Sequence, residues 1–132
     1  KSAASAQLLA LGRVALGVYP DGNPALVITD AHEKLSITLA HLDAAGKTGL
    51  HLFDDGKQRA MLTVAPDGSP GLSLNDKGGR MRAGLELLAD GNPRLGLLDK
   101  RDRIRGALGL TGDGEPLLAL TDKDEKLLWS AP

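Results

Sequence analysis

Two phrases of 23 residues stand back to back between Asp67 and Gly112, DGSPGLSLNDKGGRMRAGLELLA and DGNPRLGLLDKRDRIRGALGLTG, and a third begins at Asp113. A chain that repeats itself at a short fixed period folds as a series of like units. Each unit is too small to bury its own apolar side chains and must pack on its neighbours. The repetition therefore constrains this chain more than any single motif does.

The remaining copies are worn versions of the same phrase. Asp-Gly recurs at Asp21, Asp67, Asp90 and Asp113, in steps of 46, 23 and 23, and Ala45-Gly46 fills the gap one residue late. Pro follows at Pro24, Pro70, Pro93 and Pro116, with Thr48 in the weak copy. Next come the pairs Leu26/Ile28, Leu50/Leu52, Leu72/Leu74, Leu95/Leu97 and Leu118/Leu120, and then an Asp column at Asp30, Asp54, Asp76, Asp99 and Asp122. In the second half, Leu16, Leu39, Leu62, Leu85 and Leu108 lie 23 apart. Arg13, Arg59, Arg82 and Arg105 share one slot, filled elsewhere by Ser36 and Leu128. The weak copy gains a residue near Ala44-Ala45 and loses one after Asp54, both in turns, where length changes are tolerated.

Within each copy the apolar residues alternate. Met81, Ala83, Leu85 and Leu87 fall on one side of a strand, and Arg82, Gly84 and Glu86 on the other; this is period two, not 3.6. The copy thus reads as a β-hairpin with strands such as Pro70–Asp76 and Met81–Leu87. Its loop, Lys77-Gly78-Gly79, ends in a glycine that suits a type I turn with a left-handed residue and a bulge. The link Ala89-Asp90-Gly91-Asn92-Pro93 is a second turn, and its Pro opens a strand, where a missing N–H is harmless.

The prediction is one all-β domain over residues 1–132, with a partial repeat at 1–20 followed by repeats at 21–42, 43–66, 67–89, 90–112 and 113–132. Ala3–Leu11 lacks the pattern and reads as a capping segment or one helical turn. A flat meander of eleven or twelve strands would leave the leucine columns wet, so the hairpins are expected to stack or curl. A hairpin-stack solenoid is the first expectation, a β-trefoil or β-prism the second, and an up-and-down barrel the third. With one Trp, one Tyr and one Phe in 132 residues, the core is expected to be aliphatic and rich in leucine.

The phrase DGxPxLxLxDxxGxxRxxLxL, with the ending Leu128-Trp129-Ser130-Ala131-Pro132, resembles a group of bacterial β-hairpin-repeat proteins in which a hydrophobic N-terminal anchor precedes the hairpins. The resemblance covers residues 12–132. It implies a bacterial protein, membrane-tethered or extracytoplasmic, and names no activity. Ser36 and Leu128 depart from the Arg slot, and Glu33 and Glu125 replace the turn glycine. The chain opens at Lys1 rather than Met, so a leader or anchor can precede it.

Several functional classes are disfavoured by composition. The formal net charge is −1, without the basic excess of a nucleic-acid binder. The absence of cysteine removes disulfides, thiolate metal sites and thiol nucleophiles. Catalytic, cofactor-binding and metal residues are expected to be none. The three histidines, His32, His41 and His51, share no metal-site spacing, and no nucleophile-elbow, Walker or dinucleotide motif occurs. Repetition itself argues against an enzyme, because an active site needs different residues converging on one point.

The Asp column is expected to open the loops by accepting backbone N–H bonds; one carboxylate per copy supplies too few oxygens for calcium. Arg80, Arg103, Lys126, Lys34 and Lys57 close the same loops as solvated charges. The Arg column is expected to lie over apolar surface and to bond the Asp or a carbonyl of a neighbouring copy. The function read from these residues is a non-enzymatic structural or protein-interaction module without a cofactor. A partner protein or self-association through terminal hairpins is expected. The alternative is a repeated edge that binds cations or polysaccharide.

Overall fold

The computed structural model describes residues 12–20, 22–41 and 48–131, with only the backbone for His41. The expected capping segment Ala3–Leu11 and the insertion near Ala44-Ala45 lie outside the described residues. The structure is all-β. Eleven antiparallel strands follow one another in sequence order in one open sheet. They are β1 (Gly12–Val18), β2 (Pro24–Asp30), β3 (Leu35–His41), β4 (Thr48–Asp54), β5 (Lys57–Val64), β6 (Pro70–Asn75), β7 (Met81–Leu87), β8 (Pro93–Leu98), β9 (Ile104–Leu110), β10 (Pro116–Thr121) and β11 (Leu127–Ala131).

Each hairpin packs only on its sequence neighbours, as the repeats of a solenoid do. The units are joined edge to edge by ladder hydrogen bonds. An up-and-down barrel would pair β1 with β11, and a trefoil or prism would break the strand order; the described sheet does neither.

Both kinds of turn use the same geometry. At the loop end, Asp76 N–H donates to the Arg80 carbonyl and Gly79 N–H to the Asp76 carbonyl; at the other end, Leu88 N–H donates to Asn92 and Gly91 N–H to Leu88. The penultimate loop residue must be left-handed. Gly91 (φ 84°) and Gly79 (φ 83°) meet this without strain, whereas Asp102 (φ 61°), Glu33 (φ 56°) and Glu125 (φ 66°) occupy it with a side chain. The shortened loop has positive φ at both Asp55 and Gly56, the signature of a two-residue type I′ turn. Glu125→Gly is accordingly expected to stabilise the fold by about 0.5 kcal/mol. Relief of left-handed strain then outweighs the entropy that glycine adds to the unfolded chain. Urea unfolding checks it, and a lower midpoint would contradict the strain argument.

The register sorts the side chains into two unlike faces. One row crosses ten strands as leucine throughout: Leu16, Leu26, Leu39, Leu50, Leu62, Leu72, Leu85, Leu95, Leu108 and Leu118. The flanking row on the same face is Val14, Ile28, Ile37, Leu52, Ala60, Leu74, Ala83, Leu97, Gly106, Leu120 and Trp129. The opposite face carries small and polar residues, including Thr38, His51, Ser73, Gly84 and Gly96.

The leucines form a continuous face, as their columns predict, but not an enclosed aliphatic core. Among the described residues no large side chain is fully buried, and Leu62, Leu85 and Leu108 are about half exposed. The best-covered side chains are short ones on the polar face, Ala25, Ala40, Thr38, Thr63 and Ser73, together with His51. No strand packs across the leucines, because every described strand contacts only its sequence neighbours, edge to edge in one layer.

Candidate functional site: a charged loop edge and an aliphatic face

Two features carry the chemistry of the sheet, the edge where the Asp column lies and the leucine face. At the edge, Asp30, Asp76, Asp99 and Asp122 each close their own loop. Asp76 Oδ1 accepts from the backbone N–H of Gly78 (2.8 Å) and Arg80 (3.2 Å); Asp99 Oδ1 accepts from Arg101 (2.7 Å) and Arg103 (3.2 Å). Asp122 Oδ1 accepts from Asp124 and Lys126, and Asp30 Oδ1 from Lys34 and Leu35. This is the loop-opening role expected of the column.

The second carboxylate oxygen binds the Arg column. Arg82 reaches Asp76 Oδ2 (2.6 Å), Arg59 reaches Asp54 Oδ2 (3.0 Å), and Arg105 bonds Asp99 Oδ2, where Arg103 joins it at 3.3 Å. The same guanidinium groups then cross to the next hairpin. Arg59 donates to the Asn75 carbonyl (3.3 Å), Arg82 to the Asp99 carbonyl and Arg105 to the Lys123 carbonyl (3.1 Å). Both expected roles of the column, bonding the Asp and bonding a neighbour's carbonyl, are therefore present in one side chain. Arg13 stands apart and pairs with Glu33.

Plain alternation did not foretell how the arginines are aimed. The register slips by one residue on passing from Leu52/Ala60 to Phe53/Gln58, from Leu74/Ala83 to Asn75/Met81 and from Leu97/Gly106 to Leu98/Ile104. Arg59, Arg82 and Arg105 are the extra residues of these bulges. A bulge swings its side chain out of the pleat, here toward the loop carboxylate. Leu128 occupies the same bulge, between Leu120/Trp129 and Thr121/Leu127, whereas Ser36 pairs regularly with Thr29.

The edge makes three of its carboxyls, those of Asp76, Asp99 and Asp122, more acidic. Partial loss of water opposes ionisation of Asp99, but the N–H of Arg101, the Arg105 guanidinium and the N–H of Arg103 outweigh it and hold the carboxyl well below its usual range. The Arg80 N–H and then the Arg82 side chain lower Asp76; the Asp124 and Lys126 N–H groups lower Asp122. A folded-state value below the unfolded value of about 3.9 contributes stability above that pH and loses it as pH falls further. The melting temperature is therefore expected to fall steadily from pH 4 toward pH 2, and Asp99→Asn to shrink that fall. A thermal-melt series across pH 2–6 checks both, and equal slopes for wild type and variant would sink the assignment to Asp99.

The histidines stay apart from this edge. His51 sits on the polar face in the row of Ser73 and Gly96. It is buried, lies 2.7 Å (Nδ1) from Gln58 Nε2 and stacks on Phe53 with ring centres 6.4 Å apart. His32 is an exposed turn residue, and His41 pairs with Thr48 in the ladder. Among the described residues no three His, Asp or Glu side chains gather as a metal-holding group. Among the same residues no helix is long and apolar enough to cross a membrane.

The two central rows of the leucine face offer shape and apolar area, and among the described residues they carry no reactive group. These rows, from Val14 to Trp129, contain no charged side chain. No protein-family model matches the chain, and no curated protein is similar to it.

Proposed function

We propose that this chain is a non-enzymatic structural or protein-interaction repeat module, a scaffold of the membrane-tethered bacterial kind that its repeat phrase resembles. The uninterrupted leucine face carries this reading. An exposed apolar surface of this extent marks a docking surface, and a strip of similar residues suits an extended partner rather than a reaction centre. The groups that would do chemistry are engaged in holding the fold. The Asp column closes loops and the Arg column ties hairpin to hairpin, which argues against a repeated cation or glycan edge.

Calorimetric titration with calcium and with a panel of acidic and neutral glycans is the test. No heat above dilution is expected. Saturable heats at several equivalent sites would replace the scaffold reading with a ligand-binding one.

A further inference from the structure

We propose that the leucine face is covered by a second copy of this chain, two sheets packing leucine face to leucine face. The inference rests on the interaction-module reading and names its partner. Eleven strands at the usual spacing make the face about 48 Å wide, and its two central rows, with the outer row that runs from Val18 and Pro24 through Val64, Pro70 and Leu87 to Leu110, make it about 20 Å tall, so each copy offers roughly 900 Å². That exceeds the largest patch of an ordinary monomer, about 300–600 Å². It also meets the area that a stable interface buries, about 800 Å² per partner.

Three further observations select a second copy. First, a single sheet needs a covering layer to be stable. The cover must then be present in equal amount whenever the chain folds, a condition that another copy meets by default. Second, the face has no charged side chain in its Leu16–Leu118 row or in the Val14–Trp129 row. A charged partner would find nothing there to pair with, whereas a second leucine row matches it in kind. Third, the net charge of −1 sets little repulsion between copies. Stacked aligned sheets lie about 10 Å apart, at about 30°. Related by a two-fold axis, they present the same patch to each other and close as a dimer. Arg94 and Glu86 pair on the outer, polar face and stay in water.

Sedimentation velocity and thermal unfolding across a hundredfold range of concentration test this. A species of twice 13.7 kDa is expected, with a melting temperature that rises by about 3–5 °C per tenfold increase in protein. Leu62→Glu with Leu85→Glu is expected to abolish that species, and Arg94→Ala, on the other face, to leave it intact. Should the double variant fail to fold, the concentration dependence of the wild-type melt decides.

A folded 13.7 kDa monomer with a concentration-independent melt would overturn the self-docking and leave the interaction-module reading standing. A monomer that floats with phosphatidylcholine vesicles would overturn it in favour of a lipid surface. Oligomers that grow without limit and survive the double variant would overturn it in favour of end-to-end association. Multiple ligand heats in the titration above would remove the module reading itself.

Discussion

Gly49→Ala is expected to destabilise the fold by about 2–3 kcal/mol, because the added methyl has no room. Gly49 lies in β4 between Ala40 and Thr63. A Cβ built on it collides with the Leu62 carbonyl oxygen and the Thr63 Cγ2 methyl, and approaches the Thr63 Cα at 2.9 Å. Two of these atoms are backbone of β5, which is fixed by its ladders to β4 and β6, so relief requires the strands to part. Thr63→Ala removes the side-chain collision alone and is expected to rescue only part of the loss. Gly96→Ala supplies the opposite sign. Nothing lies within 4 Å of the position its methyl would take, and a strand glycine replaced by alanine gains about 0.5–1 kcal/mol. Urea unfolding of the three variants checks the set; equal effects at positions 49 and 96 would contradict the steric account.

Gly49 also marks where repetition stops informing. Its slot holds Gly71 in the next copy, Arg94 in the one after and Leu117 in the last, so the sequence alone suggests a position that tolerates anything. The constraint comes from the backbone of the adjacent strand, which no pattern within one copy displays. The strands were legible for the opposite reason. Alternation at period two and recurrence at 23 are properties of the chain itself, and they placed Met81–Leu87 as found. The loops were legible because Asp76 and Gly79 each have one conformational use at that spacing. The loops of Glu125 and Asp102 were harder to read, since a left-handed residue with a side chain leaves no compositional mark.

The two functional features differ in the same way. The Asp–Arg edge could be named from sequence, because recurring opposite charges at one end of a hairpin can reach one another. The bulges that deliver Arg82 and Arg105 could not, because a bulge is a relation between two strands. Leucine columns likewise state which residues share a face and are silent about what covers it. Their expected enclosure assumed that one chain supplies both layers. The open sheet supplies one, and that missing layer is what the proposed second copy would provide.

The edge allows the second large prediction. Arg82→Ala is expected to cost about 1–2 kcal/mol, and Arg105→Ala about the same, since each loses hydrogen bonds to a charged group and to the following hairpin. Their side chains are only 25% and 20% exposed, so solvent replaces those bonds incompletely. The two arginines also meet on one residue. Arg105 binds the Asp99 carboxylate and Arg82 binds the Asp99 carbonyl. Removing one loosens the loop that the other grips. The double variant is therefore expected to depart from additivity by about 0.5–1 kcal/mol, whereas Arg59→Ala with Arg105→Ala, which grip different loops, should add within about 0.3–0.5 kcal/mol. Arg82→Lys is expected to restore little, because one ammonium cannot replace the planar fork that reaches Asp76 and Asp99 together. Chemical unfolding of the wild type and these variants closes both cycles. Additivity in the first would mean that each arginine acts within its own hairpin, and full rescue by lysine would reduce the ladder to surface charge pairing.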